Sequence, residues 1–381
     1  MKINLFYKKI INHGGAENLL FNHYESLKNK DNTVKIITYK NLLIKKKNKD
    51  IIIVNNFIGL ILYMLKNYDT RIVCHSGYLD IFFASLLLKV KYYVFLHQAS
   101  LLSFNETDKY ALKVLEKMNR NNKINIFKHK MKFFRRIKKN LSFYAQTKIN
   151  IRYIISRIAL KRATNTFVLS RTAVKEKKLM YDIVSQHAIG AIKNNQIIKY
   201  KNNLNKNDKN YYFCIISRLD INKRIKTVIR AISKAKYRKN FFLDIYGLGE
   251  QLDDLNRCIS ILGLQKNIKC KGFLPERDKI KVLNKYDYSI CLDMADFRIS
   301  AYESLLARTP VILSAETEKY KIFDDSNCFI YCEPKIYKVR NLLDKIYNGK
   351  FLNNIKWKTV EENLNELKWS NYFKKINSYV L

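Results

Sequence analysis

The sequence predicts an α/β protein built from two doubly wound parallel-sheet domains. Short continuous apolar runs, the mark of strands buried on both faces, alternate with amphipathic helical stretches. That alternation restarts after a polar, aperiodic stretch at Lys199–Asn210. A chain of 381 residues also exceeds what one hydrophobic core commonly serves.

Taken in order, the first half offers strands at Lys2–Tyr7, Thr33–Thr38, Ile51–Asn55, Ile72–His75, Tyr92–Leu96 and Thr166–Leu169, with helices such as Asn18–Lys28 and Tyr78–Lys89 between them. The second half opens with strand Tyr211–Ser217, helix Ile225–Lys236, strand Phe241–Tyr246, helix Gln251–Leu262 and strand Ile268–Gly272. It continues with helix Arg277–Lys285, strand Tyr288–Leu292, helix Ser300–Arg308 and strand Val311–Ser314. Expected domains are 1–200 and 201–365, with a terminal helix at 366–381. Two such domains imply a cleft, because open α/β sheets bind ligands beyond the carboxyl ends of their strands.

The charge is strongly positive: 72 Lys+Arg against 32 Asp+Glu give +40. Such a field attracts nucleic acid, an anionic membrane or a phosphorylated small molecule. Part of it is compositional, since Lys, Asn, Ile and Tyr are abundant and Gly (10) and Pro (3) are scarce. Seven scattered cysteines without a Cys-x-x-Cys pair argue against zinc and against a disulfide framework. The N-terminal Met1–Tyr7 runs into Lys8-Lys9 without the apolar core of a signal peptide. The apolar runs Phe57–Leu65 and Ile81–Leu88 fall short of the ~20 residues a bilayer requires. A cytoplasmic protein is therefore expected. Residues 127–163 set helically spaced apolar residues against a dense basic face, which fits an anionic membrane surface and equally a core-facing helix of a Lys-rich protein.

Several segments carry candidate chemistry. Gly14-Gly15-Ala16-Glu17 sits between the first strand and the first helix, where glycines permit close backbone approach and a helix N-terminus offers N–H groups. It is not a Gly-x-Gly-x-x-Gly loop, so no nicotinamide cofactor is indicated. Ser217–Arg224 places Arg218 and Lys223 on a strand-to-helix loop, where two cations can clamp a diphosphate; in this chain they are also ordinary surface residues. In Asp296–Ile312 a turn leads into a short helix, so the N–H groups of Ile299, Ser300, Ala301 and Tyr302 form a candidate phosphate site. Glu303, one turn into that apolar helix, lacks a local cation and suits the hydroxyls of a ribose.

Together these segments resemble the large family-four group of GT-B glycosyltransferases. The matches run in order along nearly the whole chain: Gly14–Glu17, Arg218 with Lys223, Tyr246-Gly247-Leu248-Gly249-Glu250, Asn267-Ile268 with Gly272-Phe273, and Phe297 through Ile312. The resemblance implies two Rossmann-like domains, the N-terminal one for the acceptor and the C-terminal one for the nucleotide sugar. It implies donor contacts from Gly15, Arg218, Lys223, Gly247, Gly249, Gly272, Phe273, Asp296, Ile299–Tyr302 and Glu303, and acceptor contacts from Gly14, Glu17 and His97. Arg218, Lys223 and Glu303, with His97 beside the transferred sugar and His75 as its nearest rival, form the implied catalytic set.

One position departs from the family. Seven residues before Glu303, where a second glutamate is usual, stands Ala295, with Asp296 next to it. The resemblance further implies retention of anomeric configuration without a metal, and no Asp-x-Asp motif is present. The expected reaction moves a hexose or N-acetylhexosamine from a UDP-sugar to a glycan or lipid-linked acceptor in bacterial surface polysaccharide synthesis, at the cytosolic face of the inner membrane. No cofactor and no nucleic-acid partner are expected. The terminal Trp369–Phe373 segment resembles a helix returning to the N-terminal domain. The competing readings are a basic nucleic-acid-binding protein, for which no recognised motif appears, and a membrane-docked scaffold with a degenerate sugar site.

Overall fold

The computed structural model describes residues 1–10, 15–28, 32–41, 49–97, 143–169, 171–187, 209–293, 298–315, 321–349 and 355–380. The chain forms two compact units, Met1–Gly190 together with Trp369–Leu381, and Ala191–Lys368.

The first unit holds strands β1 (Lys2–Phe6), β2 (Thr33–Thr38), β3 (Ile51–Ile53), β4 (Arg71–Cys74), β5 (Tyr92–Leu96), β6 (Asn165–Val168) and β7 (Gln186–His187). They form one sheet in the order β3-β2-β1-β4-β5-β6-β7, and every described pairing is parallel. Helices α1 (Gly15–Leu27), α2 (Phe57–Lys66), α3 (Tyr78–Leu88), α4 (Phe143–Arg162) and α5 (Arg171–Tyr181) cross between strands. Strand order reverses between β1 and β4, which makes their carboxyl ends the topological switch point.

Helix α2 was legible only as an apolar run, because it is apolar on all sides: Leu60 and Met64 are buried while Ile58, Leu62 and Leu65 are exposed. Asn56 caps it, its Oδ1 accepting from the Gly59 N–H at 2.9 Å. In α4, Ser156, Ala159 and Leu160 are buried and Ile151, Ile154 and Ile158 are exposed, so the helix shows apolar residues on both its inner and outer sides. The rest of the basic segment, 127–142, lies outside the described residues. No described helix is long and apolar enough to cross a membrane.

The second unit holds β8 (Tyr211–Ile216), β9 (Phe241–Tyr246), β10 (Ile268–Gly272), β11 (Tyr288–Cys291), β12 (Val311–Ser314) and β13 (Phe329–Cys332). Their order is β10-β9-β8-β11-β12-β13, again all parallel, with the switch point between β8 and β11. Helices α6 (Ile225–Ser233), α7 (Leu252–Ile261), α8 (Lys279–Leu283), α9 (Ile299–Leu306), α10 (Ile336–Tyr347) and α11 (Trp357–Glu366) complete it. In α6 the buried residues Ile225, Val228, Ile229 and Ile232 recur at helical spacing and pack on Phe213, Leu243 and Ile245 of the sheet. The helix expected at Arg277–Lys285 is split. Glu276–Asp278 forms a 3₁₀ turn behind Pro275, whose fixed φ tightens the entry, and α8 follows.

The last helix, α12 (Trp369–Val380), belongs to the first unit. Trp369, Tyr372, Phe373, Ile376 and Val380 bury its inner face. Each such side chain stabilises by about 1.5–3 kcal/mol relative to exposure.

Candidate functional site

In the second unit the loops after β8 and β11 meet at the switch point. Lys223 closes a short 3₁₀ turn, and its Nζ lies 2.7 Å from Asp293 Oδ2. Arg298 binds the same carboxylate through Nε and the Asp293 carbonyl through Nη2. Asp293 and Arg298 are each only 6% exposed, so this is a buried cluster rather than a surface pair. Burial alone would raise the Asp293 carboxyl, but Arg298 and Lys223 overcome it and hold the group below the ordinary carboxylate range. Two cations thus share one carboxylate where the loops after β8 and β11 meet. Arg224 adds a further cation, its Nη1 donating to the Leu292 carbonyl at 3.3 Å. Arg218 is not drawn into the cluster. Its side chain is 85% exposed, with Asp220 at 3.6 Å.

The glycine turn locks onto this loop. The Leu219 N–H donates to the Leu248 carbonyl at 2.9 Å, and the Gln251 N–H donates to the Leu219 carbonyl at 3.0 Å. A Cβ on Gly247 would stand 1.8 Å from the Ser217 carbonyl oxygen, and one on Gly249 2.5 Å from that of Leu219. Gly247 also holds φ +139°, which side-chain-bearing residues rarely adopt. The Gly247 N–H reaches the Gly272 carbonyl at 2.7 Å, which ties in the end of β10, where Phe273 is exposed.

Helix α9 begins at Ile299 with Arg298 in extended conformation before it, and the Arg298 side chain does not cap its first turn. Of the phosphate-site candidates Ile299, Ser300, Ala301 and Tyr302, the Ala301 N–H is engaged by the Arg298 carbonyl at 3.2 Å. Glu303 corrects an expectation. It has a cation after all: Lys279 Nζ from α8 reaches both carboxylate oxygens, at 3.1 and 3.2 Å. Burial pushes the Glu303 carboxyl up against the pull of Lys279, whose ammonium is held protonated by Glu303 and Glu276 despite its own burial. A cavity of about 790 Å³ lies elsewhere, along edge strand β13 and α10, and includes none of these residues.

The first unit holds a second constellation at its own switch point. His97, after β5, is 3.1 Å (Nε2) from Nδ1 of His75, after β4. His75 Nε2 is 2.9 Å from His23 Nδ1 on α1, and His23 Nε2 is 3.2 Å from Asn377 Oδ1 on α12. Because the amide oxygen accepts, His23 donates from Nε2, His75 donates from Nε2 to His23, and His97 donates from Nε2 to His75. The Nδ1 atom of His97 is left as an acceptor. Burial lowers His97 to about 4. It lowers His23 to about 3 despite the Asn377 hydrogen bond. Burial, reinforced by its two neighbours, takes His75 well below the ordinary value. All three rings are therefore neutral at pH 7. His23 stacks on Phe373 and His75 on Phe95, which fixes the ring planes. His97 and His75 line a cavity of about 250 Å³ with Tyr7, Ser76 and Lys177. Glu17, in the first turn of α1, hydrogen-bonds Tyr7, whose phenol is pushed up by burial and by that carboxylate.

Residues 196–353 match the family model described as Glycosyl transferases group 1. The second unit is a group 1 glycosyltransferase domain. The whole chain is similar in fold to Anabaena HepE in complex with UDP, at 12% identity over 99% of both chains and a TM-score of 0.71. It is likewise similar to a Thermosynechococcus elongatus sucrose-phosphate synthase, at 12% identity over 99% of this chain and 97% of that one, with a TM-score of 0.71. WaaG, a glycosyltransferase involved in lipopolysaccharide biosynthesis, aligns at 12% identity over 99% of each chain with a TM-score of 0.68. The chain thus has the GT-B fold. No curated protein matches it significantly.

Within the group 1 glycosyltransferase domain, the structure brings Arg218, Lys223, Gly247, Gly249, Gly272 and Phe273 to one set of strand ends, with Ile299–Glu303 on the helix after β11. Gly15 opens α1 in the other unit. Gly14 and the Ala295-Asp296 pair lie outside the described residues. Sequence reasoning missed Asp293, Arg298 and Lys279. Asp293 had a signal, as a carboxylate two residues past an apolar strand end. Arg298 and Lys279 had none, in a chain of 72 Lys+Arg. It also missed His23, whose helical position looks like any core-facing residue until α12 is placed beside it.

Proposed function

We propose that the chain transfers a hexose or N-acetylhexosamine from a UDP-sugar to a glycan or lipid-linked acceptor in surface polysaccharide synthesis. The observation that carries this reading is the Lys223–Asp293–Arg298 cluster, which fixes a lysine at the switch point of a group 1 glycosyltransferase domain. The UDP complex of HepE, and its complex with UDP and glucose, belong to similarly folded proteins and support the choice of donor.

In the proposed reaction Arg218 and Lys223 stabilise the diphosphate as it departs, so that no divalent ion is required. Asp293 sets where Lys223 points, and Arg218 is free to close on the phosphates. Glu303, poised by Lys279, takes the ribose hydroxyls. The acceptor hydroxyl attacks from the face that the nucleotide leaves, which retains configuration. Neutral His97 offers its Nδ1 lone pair to a hydroxyl of the acceptor bound in the first unit. Lys223→Ala and Glu303→Ala are expected to cut transfer sharply while the protein stays folded, and full activity in both would sink the assignment.

The exposed Ile151, Ile154 and Ile158 of α4, flanked by Arg152, Arg157 and Lys161, support a peripheral placement on an anionic cytosolic membrane face.

A further inference from the structure

A buried lysine in the first unit has no counter-charge among the described residues. Lys177 occupies the inner stripe of α5, between Ala173 and Tyr181 at four-residue spacing, where an apolar side chain is expected; it is 3% exposed. Among the described residues its ammonium has no carboxylate and no hydrogen-bond partner; the Tyr181 ring lies 5.0 Å from it. Two described carboxylates of this unit are engaged elsewhere. Asp182 is held by Lys161 and Lys178, each at 3.0 Å, and Glu17 by Tyr7. Burying an unpaired ammonium is costly, and such a group persists where a ligand completes it.

Lys177 lines the cavity of about 250 Å³ that holds His97 and His75, and Arg152 of α4 stands on the same wall. That cavity sits at the switch point of the first sheet, where an open α/β sheet takes its ligand. The three histidines are neutral, so Lys177 and Arg152 are the charges among its described lining residues. We propose that this cavity is an anion subsite that binds the phosphate of a phosphorylated acceptor, with Lys177 as the buried point charge and Arg152 as the planar fork at the mouth. The proposal rests on the glycosyltransferase reading, since it names the class of acceptor. A phosphate is favoured over a carboxylate because its charge approaches −2 at neutral pH and so matches two cations. Its volume fits a group the size of a monosaccharide phosphate.

The test is calorimetric titration of the full-length chain with UDP saturating, so that phosphate sites in the second unit are filled. Glucose 1-phosphate probes a free sugar phosphate and farnesyl phosphate a lipid-linked one, with glucose and farnesol as neutral controls. At least one phosphate probe should bind well above its control. Lys177→Met should weaken that binding about ten- to hundred-fold and Arg152→Ala by less, both with UDP affinity unchanged. The unliganded Lys177→Met protein should melt no lower than the wild type, because a buried unpaired charge has been removed. Equal binding of phosphate and neutral probes, or unchanged phosphate affinity in both variants, overturns the subsite, as does a lowered melting temperature of Lys177→Met with unchanged phosphate affinity. Failure of the wild type to bind UDP strikes the donor reading instead, and is read separately.

Discussion

Lys223 Nζ and Asp293 Oδ2 stand 2.7 Å apart, joining the loop after β8 to the loop after β11. The pair is half of a buried cluster, because Arg298 holds the other oxygen of the same carboxylate. Removing Asp293 therefore takes a carboxylate from a buried guanidinium and releases Lys223. Asp293→Ala should cost about 3–5 kcal/mol of stability, measured by urea unfolding. In the folded protein Asp293 is held below its ordinary value of 3.8, so its contribution is present above that pH and fades as pH falls through the folded value.

Gly247 tests the braid between the glycine turn and the Arg218 loop. Its absent Cβ would collide with the Ser217 carbonyl at 1.8 Å. Gly247→Ala should destabilise by about 2–4 kcal/mol through strain and displaced backbone. UDP affinity should fall with it, because the Arg218 loop is what moves, whereas phosphate binding in the first unit should not change.

The three-histidine chain predicts an acid-sensitive fold. Each folded-state value lies below the ordinary 6.5, so the unfolded chain takes up protons that the folded chain refuses. This contribution is full above about pH 6.5 and erodes as pH falls, through about 4 for His97 and about 3 for His23. Urea midpoints taken across this range should drop, and His23→Phe, which keeps a ring against Phe373, should make the drop shallower.

Much of the fold was legible because buried parallel strands are written as continuous apolar runs: β2, β5, β9, β10 and β12 were bounded at the residues where they occur. Helix α2 escaped because its apolarity is not one-sided, and β13 because Phe329–Cys332 is a short run at a sheet edge. Arg218 and Lys223 were legible as a pair on a strand-to-helix loop. What sets them apart was not. One is exposed and one is clamped, and the clamp comes from Asp293, seventy residues on in sequence. The same limit hid Lys279 beneath Glu303. A partner on another element leaves no local pattern, and in a lysine-rich chain no single lysine stands out.

Helix α4 carries the membrane expectation in a testable form. Ile151→Glu with Ile154→Glu places charge on exposed positions and should leave stability within about 1 kcal/mol of the wild type. Co-sedimentation with vesicles containing phosphatidylglycerol should fall, and retention equal to the wild type would remove α4 from the membrane reading.

The central claim is that Lys223, set by Asp293, carries the leaving diphosphate. It is tested most directly by the rate at which the enzyme releases UDP from UDP-glucose and UDP-N-acetylglucosamine, compared between wild type and Lys223→Ala in the presence of EDTA. The account predicts release by the wild type from at least one of these donors, undiminished by EDTA, and a loss of about 10²–10³-fold in the variant. No release by the wild type from either donor, or equal rates in the two proteins, would contradict it.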